Sequence, residues 1–267
     1  MLTNYHTHST FCDGKNTPEE IVLYAIDRHF DAIGFSSHGY TPYDLRYCMK
    51  DDQGYIAEIK RLKEKYRDKI KVYLGIEEDA FSPLPYRNEL DYVIGSSHYY
   101  KIGEEYFPID SSFEYFSRCL EAFNSDAPKM GEQYFSAFAD YILKYKPHMI
   151  GHYDLITKFD EKHTDLFFCN KEYNLIAEKY TRFIADKGFI FEANTGAISR
   201  GLRSSIYPAE NLLHIIKKSN SGLALASDSH TVETLDAVFE ETRRYLKDFG
   251  FEYVYSFIDG EFVKDRL

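Results

Sequence analysis

Tryptophan is missing altogether from this 267-residue chain. No apolar run approaches the roughly 20 residues that a membrane span requires, so no membrane association is expected. Positive charge is in short supply too. There are 32 lysines and arginines against 43 aspartates and glutamates, a formal net charge of −11. Duplex-binding proteins normally present a basic face, so nucleic acid is not an expected partner. A small anionic ligand is not excluded, because bound metal ions can reverse the local field. Cysteine is scarce: Cys12, Cys48, Cys119 and Cys169 form no CxxC pair. In a chain of this length they read as reduced thiols, and with no targeting pattern in Met1-Leu2-Thr3-Asn4-Tyr5 a cytoplasmic location is expected. Low-complexity linkers and single-sign charge blocks are absent, which points to one domain spanning residues 1–267.

What the chain does have is alternation. Short apolar runs recur at Leu2–Tyr5, Ala32–Ser36, Lys71–Ile76, Tyr92–Ser96, Met149–Gly151, Phe189–Ala193 and Gly222–Ala226. Amphipathic stretches separate them at Pro18–His29, Gln53–Tyr66, Ser112–Asn124, Gly131–Tyr145, Lys171–Asp186, Pro208–Lys218 and Val232–Phe249. Thr17, Pro18 and Glu20 form a capping-box signature with proline at the first helical position, and Pro208 suits a first helical turn as well. Strand–helix alternation of this kind implies an α/β fold with a parallel sheet. Seven repeats suggest a barrel, with a doubly wound open sheet as the other candidate. Glu252–Val263 alternates around Asp259-Gly260 and reads as a terminal hairpin with a type I′ turn.

Metal-capable residues fall at or beyond the C-terminal end of one predicted strand after another. His6 and His8 follow the first as His-Thr-His, and in extended backbone residues i and i+2 point the same way. Asp13 lies in the next loop, His38 after the second strand, Glu77 after the third, His98 after the fourth, His152 at the end of the fifth. Asp228 and His230 follow the last with the same i, i+2 spacing. The C-terminal face is where parallel α/β barrels carry their chemistry. Imidazole and carboxylate suit zinc, manganese or iron, and nine such groups are too many for one ion with open positions; two or three ions are expected, with a carboxylate such as Glu77 bridging. Glu77 competes with Glu78 and Asp79 for that role, and strand phase favours it. His29, His148, His163 and His214 lack this placement and are read as non-ligands.

The set His-x-His, a loop Asp, a His after strand two, Gly75-Ile76-Glu77, Gly95-Ser96-Ser97-His98, Gly151-His152 and Ser227-Asp228-Ser229-His230 resembles the PHP (polymerase and histidinol phosphatase) superfamily. Gly95-Ser96-Ser97-His98-Tyr99-Tyr100 with Phe107-Pro108-Ile109-Asp110, the segment Glu192-Ala193-Asn194-Thr195-Gly196 and the 54-residue step from His98 to His152 look like its monofunctional histidinol-phosphatase branch. The resemblance implies a distorted (β/α)7 TIM-like barrel with three metal ions at the C-terminal mouth and a helical insertion at about 112–146. It would place His6, His8, Glu77 and Asp228 on one ion, Glu77, His98 and His152 on a second, and Asp13, His38 and His230 on the third. Many members carry a histidine where Asp13 stands.

The expected chemistry is metal-assisted hydrolysis of a small phosphomonoester. Arg200 and Arg203, in the loop after the sixth strand, are the candidate phosphate contacts, since guanidinium meets phosphate in bidentate geometry. The resemblance implies L-histidinol phosphate as substrate, in histidine biosynthesis. Nucleotides or other small phosphates are the alternative, and a non-catalytic metal-binding module is the rival from outside enzymology.

Overall fold

The short apolar runs become strands buried on both faces, the environment of a parallel sheet covered by helices. The computed structural model describes residues 1–267. In chain order the elements are β1 (Thr3–Asn4), α1 (Pro18–Asp27), β2 (Ala32–Phe35), α2 (Asp52–Lys65), β3 (Lys71–Asp79), β4 (Tyr92–Ser96), β5 (Tyr99–Ile102), β6 (Glu105–Pro108), α3 (Phe113–Ala122) and α4 (Ala127–Tyr145). Then follow β7 (Met149–Ile150), α5 (Lys171–Ala185), β8 (Ile190–Asn194), α6 (Gly196–Ser199), α7 (Glu210–Lys217), β9 (Gly222–Ala226), α8 (Phe239–Phe249), β10 (Tyr253–Ile258) and β11 (Glu261–Arg266). The sheet runs β1-β2-β3-β4-β7-β8-β9, parallel throughout. A bridge between Thr7 and Ser229 draws its two ends together, with His8 N–H donating to Ser229 O at 2.8 Å and Ser229 N–H to His6 O at 3.2 Å. The result is a nearly closed (β/α)7 barrel rather than an open doubly wound sheet.

Tyr92 fills the middle of the barrel, its hydroxyl directed at Tyr5 O (2.6 Å) and Phe35 O (2.9 Å). Glycine is required at position 75 to admit that ring, because a Cβ there would stand 2.2 Å from Tyr92 Cζ. The terminal β10–β11 hairpin closes the opposite mouth. Its Phe257 packs edge-on against Tyr5 and Tyr73, and Tyr5 OH donates to Phe257 O at 2.6 Å. Asp259 (φ +52) and Gly260 (φ +90) make the turn, the pair of positive φ values that a type I′ hairpin needs. The Thr17 capping box on α1 forms as expected, with Glu20 N–H on Thr17 Oγ1 and Thr17 N–H on Glu20 Oε2.

Three elements differ from the sequence-based expectation. The stretch Val232–Phe249 is not one helix. A single turn at Val232–Thr234 is separated from α8 by Val238 at φ +65, because Asn4 Nδ2 takes Leu235 O and Thr195 Oγ1 takes Ala237 O across the barrel seam. Pro208 stands outside α7, since Tyr207 is bridged to Asn194 and holds the chain extended until Ala209 caps the helix. An antiparallel hairpin, β5–β6, follows β4, where the sequence reading placed no strands. No helix is long and apolar enough to cross a membrane.

Candidate metal centre

The two i, i+2 motifs meet at the barrel seam. Thr7 and Ser229 form the bridge that draws the ends of the sheet together, so the residues flanking them, His6 and His8 on one side and Asp228 and His230 on the other, emerge side by side. A second bridge, between His38 and Glu77, does the same for the ends of β2 and β3, with Gly39 N–H on Glu77 O at 2.8 Å. Alternation along β3 then sorts its three acidic residues. Glu77 and Asp79 share one side, while Glu78 turns outward to Tyr141 OH (2.6 Å) and Leu84 N–H (2.7 Å).

All nine side chains singled out from the sequence converge on this mouth. His6 Nε2 lies 3.2 Å from Glu77 Oε2 and 3.6 Å from Asp228 Oδ1. His8 Nε2 lies 3.5 Å and 3.2 Å from the same two oxygens. The other oxygen of Glu77, Oε1, faces His152 Nε2 at 2.9 Å and His98 Nε2 at 3.2 Å. Asp13 Oδ1 faces His230 Nε2 at 3.4 Å and His38 Nε2 at 3.7 Å, while His38 Nδ1 reaches Glu77 Oε2 at 2.9 Å. Donors bound tetrahedrally at about 2.0–2.1 Å from one ion stand about 3.3 Å apart, which is the spacing found here. His6 Nε2, His8 Nε2 and Glu77 Oε2 are buried and have no hydrogen-bond partner. Unpaired buried polar atoms are costly, and a shared cation satisfies them, so the donor set fits bound metal. Overlapping groups of histidine and carboxylate here could hold ions, and the two oxygens of Glu77 face different histidines, Oε2 towards His6, His8 and His38 and Oε1 towards His98 and His152.

Electrostatics keeps the two central carboxylates of this cluster ionised. Burial favours a neutral Glu77, but the imidazoles of His6, His38 and His98 hold it well below the usual carboxylate range. Burial likewise opposes a charged Asp228, and the Arg200 guanidinium and His6 pull it down. His6 is raised well above 6.5 by Glu192, Glu77 and Asp228 despite its burial. His8 behaves oppositely: burial, then the neighbouring His230 and His38, push it down to about 3, leaving it neutral and able to ligate.

Above the cluster opens a cavity of about 420 Å³, lined among others by Asp44, Tyr47, Tyr99, Asp110, Lys158 and Arg200. Arg200 reaches in, held by Asp228 through Oδ2 (2.7 Å) and the main-chain O (2.9 Å). Lys158, not singled out from the sequence, donates to Asp110 O at 2.6 Å. Arg203 does not reach the cavity, which corrects the expectation that it contacts phosphate. After α6 the chain reverses at Gly201 (φ +66), and Arg203 turns inward to Thr157 Oγ1 (3.1 Å), Asp154 (3.7 Å) and the face of Tyr207. The four histidines read as non-ligands lie elsewhere; His163 stacks on Phe113 and His214 packs on Phe249.

Residues 4–196 match the PHP domain family. The chain belongs to the PHP domain family. This PHP chain is 27% identical to a Schizosaccharomyces pombe protein named "Probable histidinol-phosphatase", over 94% of this chain and 87% of that one. The Bacillus subtilis histidinol-phosphatase is 23% identical, covering 88% of this chain and 96% of its own. Among solved structures, the histidinol phosphate phosphatase of Lactococcus lactis, complexed with zinc, L-histidinol and phosphate, superposes with a TM-score of 0.73 at 23% identity. The alignment covers 98% of this chain and 99% of that one. Asp228 and His230 lie beyond the matched PHP segment and are brought beside His6 and His8 by the pairing of β9 with β8 and by the Thr7–Ser229 bridge.

Two buried carboxylates behind the PHP cluster were not picked out as functional from the sequence. Glu192 accepts from His6 Nδ1 (2.7 Å) and from His152 N–H (3.1 Å). Asp79 accepts from His98 through both its ring (3.2 Å) and its N–H (3.0 Å). The available signal was a charged residue in phase with the inward side of a strand buried along its length, which is too costly to persist without a partner.

Proposed function

We propose that this chain is a metal-dependent phosphomonoester hydrolase, a histidinol-phosphatase that converts L-histidinol phosphate and water to L-histidinol and phosphate. The observation that carries this reading is the convergence of nine imidazole and carboxylate side chains beneath a small-molecule-sized cavity that also presents Arg200 and Lys158. The chain's likeness to proteins named histidinol-phosphatases along nearly their whole length supplies the substrate.

His6, His8, Glu77 and Asp228 would hold one ion, Glu77, His98 and His152 a second, and Asp13, His38 and His230 a third. Zinc, manganese and iron all suit these donors. When bound, such ions supply Lewis-acid chemistry: they polarise phosphoryl oxygens and lower the pKa of water. The residues of the chain supply position and charge. Arg200, fixed by its two bonds to Asp228, presents its guanidinium to the phosphoryl oxygens. Lys158 adds a second cation from the wall of the cavity and is tethered there by Asp110. Both neutralise charge that grows on the equatorial oxygens as the ester bond breaks. Tyr47 and Tyr99 give the leaving alcohol an aromatic wall.

Phosphate release from a panel of phosphomonoesters by metal-loaded protein tests the reading. L-histidinol phosphate is expected to give the highest kcat/KM. Far better turnover of nucleoside monophosphates would overturn the substrate, and no turnover of any ester by protein with filled metal positions would overturn the reaction class.

A further inference from the structure

Asp79 stands two residues beyond Glu77 on the same side of β3, yet it cannot itself be a ligand, because both of its oxygens are taken. Oδ1 accepts from Tyr43 OH (2.5 Å) and Phe81 N–H (2.9 Å), and Oδ2 accepts from His98 N–H (3.0 Å) and His98 Nδ1 (3.2 Å). A carboxylate on Nδ1 fixes the tautomer of the ring and leaves the Nε2 lone pair facing Glu77 Oε1, 3.2 Å away. The hydrogen bond from Tyr43 ties this arrangement to the outer wall of the cavity. Tyr43 lies between β2 and α2, in the segment that also carries Asp44, Arg46 and Tyr47 to the cavity. Its ring stacks on Tyr106 of β6 at 3.8 Å and 3°, and meets Tyr99 of β5 edge-on at 4.9 Å.

We infer that Tyr43 and Asp79 are positioning residues that act through His98, and that the chain Tyr106–Tyr43–Asp79–His98 couples the β5–β6 hairpin to the metal position built on Glu77, His98 and His152. The inference rests on the metal-centre reading above. Its physical basis is reciprocal. An ion on His98 Nε2 strengthens the Nδ1–H bond to Asp79, which in turn holds Tyr43 and the hairpin stacked on it; order in the hairpin strengthens the same position by the same factor. Glu192 supports His6 and His152 from inside the barrel, where its remaining side-chain partner is Asn194. The Asp79 path runs by hydrogen bonds from a candidate ligand to the segment that shapes the substrate cavity, beside the direct edge-on packing of His38 on Tyr47 at 4.6 Å.

The test is cobalt titration of chelator-stripped full-length protein, read by the visible absorption of the bound ion and by metal analysis. The variants are Asp79→Asn, Tyr43→Phe, Tyr106→Ala and the Tyr43→Phe/Asp79→Asn double. Asp79→Asn is expected to weaken one metal position about 10- to 100-fold and to alter its spectrum. Tyr43→Phe and Tyr106→Ala are expected to weaken the same position several-fold, with the melting temperature of the metal-free Tyr43→Phe protein unchanged. In the Asp79→Asn background Tyr43→Phe should add nothing, since the path is already cut. Wild-type affinity and spectrum in Tyr43→Phe, or additive effects in the double variant, overturn the coupling, and neither outcome depends on how well Asp79→Asn folds. Wild-type protein that takes up no cobalt overturns the metal-centre reading and this inference together. Loaded wild type beside an unaffected Asp79→Asn overturns the inference alone.

Discussion

At the scale of the residue, two arginines three positions apart have opposite fates. Arg200 is partly open to the cavity and faces Asp228; Arg203 is buried with its charge against Asp154. Arg200→Ala should therefore cost activity, about 100-fold in kcat/KM for removal of one preorganised cation, with little change in melting temperature. Arg203→Ala should instead cost stability, about 3–5 kcal/mol, because it strands the buried Asp154 carboxylate. Steady-state kinetics and denaturant unfolding on the two variants separate these outcomes, and an interchange of the two effects would refute the assignment. Gly75 is the third informative position. A methyl group there meets the Tyr92 ring, so Gly75→Ala should lose about 1–3 kcal/mol by overpacking. Because Glu77 is two residues on, metal content should fall with it, as metal analysis of the purified variant would show.

At the scale of the element, α1 and α2 are joined on the outside of the barrel by Glu19, which accepts from Lys65, Tyr66 and Arg61. These bonds, Lys65 first, hold the Glu19 carboxyl down at about 2. A carboxylate whose pKa is lower folded than unfolded stabilises fully above its unfolded value, about 4.3, and the contribution is lost as pH falls toward 2. The gap in melting temperature between wild type and Glu19→Gln, both metal-free, should thus be widest above pH 5 and shrink toward pH 3; a gap independent of pH would count against the linkage. Element boundaries were legible where the local signal was physical. The capping box opened α1, and Asp259-Gly260 made its turn. They were not legible where tertiary hydrogen bonds overrode local preference, as at Leu235 and Ala237, where acceptors drawn to Asn4 and Thr195 broke an otherwise helical pattern. The β5–β6 hairpin, whose Tyr106 stacks on Tyr43 at the cavity wall, was missed for a different, local reason. Its turn at Gly103-Glu104 lacks the Asn-Gly or Asp-Gly signature.

At the scale of the whole molecule, a chain of net charge −11 concentrates acidic and imidazole groups at one mouth of the barrel and closes the other with an aromatic hairpin. Cations bound at the open mouth would convert that field into one that attracts a phosphate. They would also stabilise the fold, since the candidate donors come from β-strand ends that are far apart in sequence. Chelation should lower the melting temperature, and restoring zinc or manganese at about 100 times its dissociation constant should return about 2.7 kcal/mol per site. An unchanged melting temperature after verified metal removal would argue against ions shared among these strands.

The sequence by itself determined the α/β repeat, the strand phase that chose Glu77 over Glu78, and the identity of the nine candidate donors. Each of these depends on a residue type and its place in a local period, and local periods are written along the chain. Only the tertiary structure decided that the sheet closes through Thr7 and Ser229, that Arg203 turns inward, and that Lys158, Glu192 and Asp79 belong to the site. Those outcomes depend on which distant segments pack together and on where buried charge finds a partner.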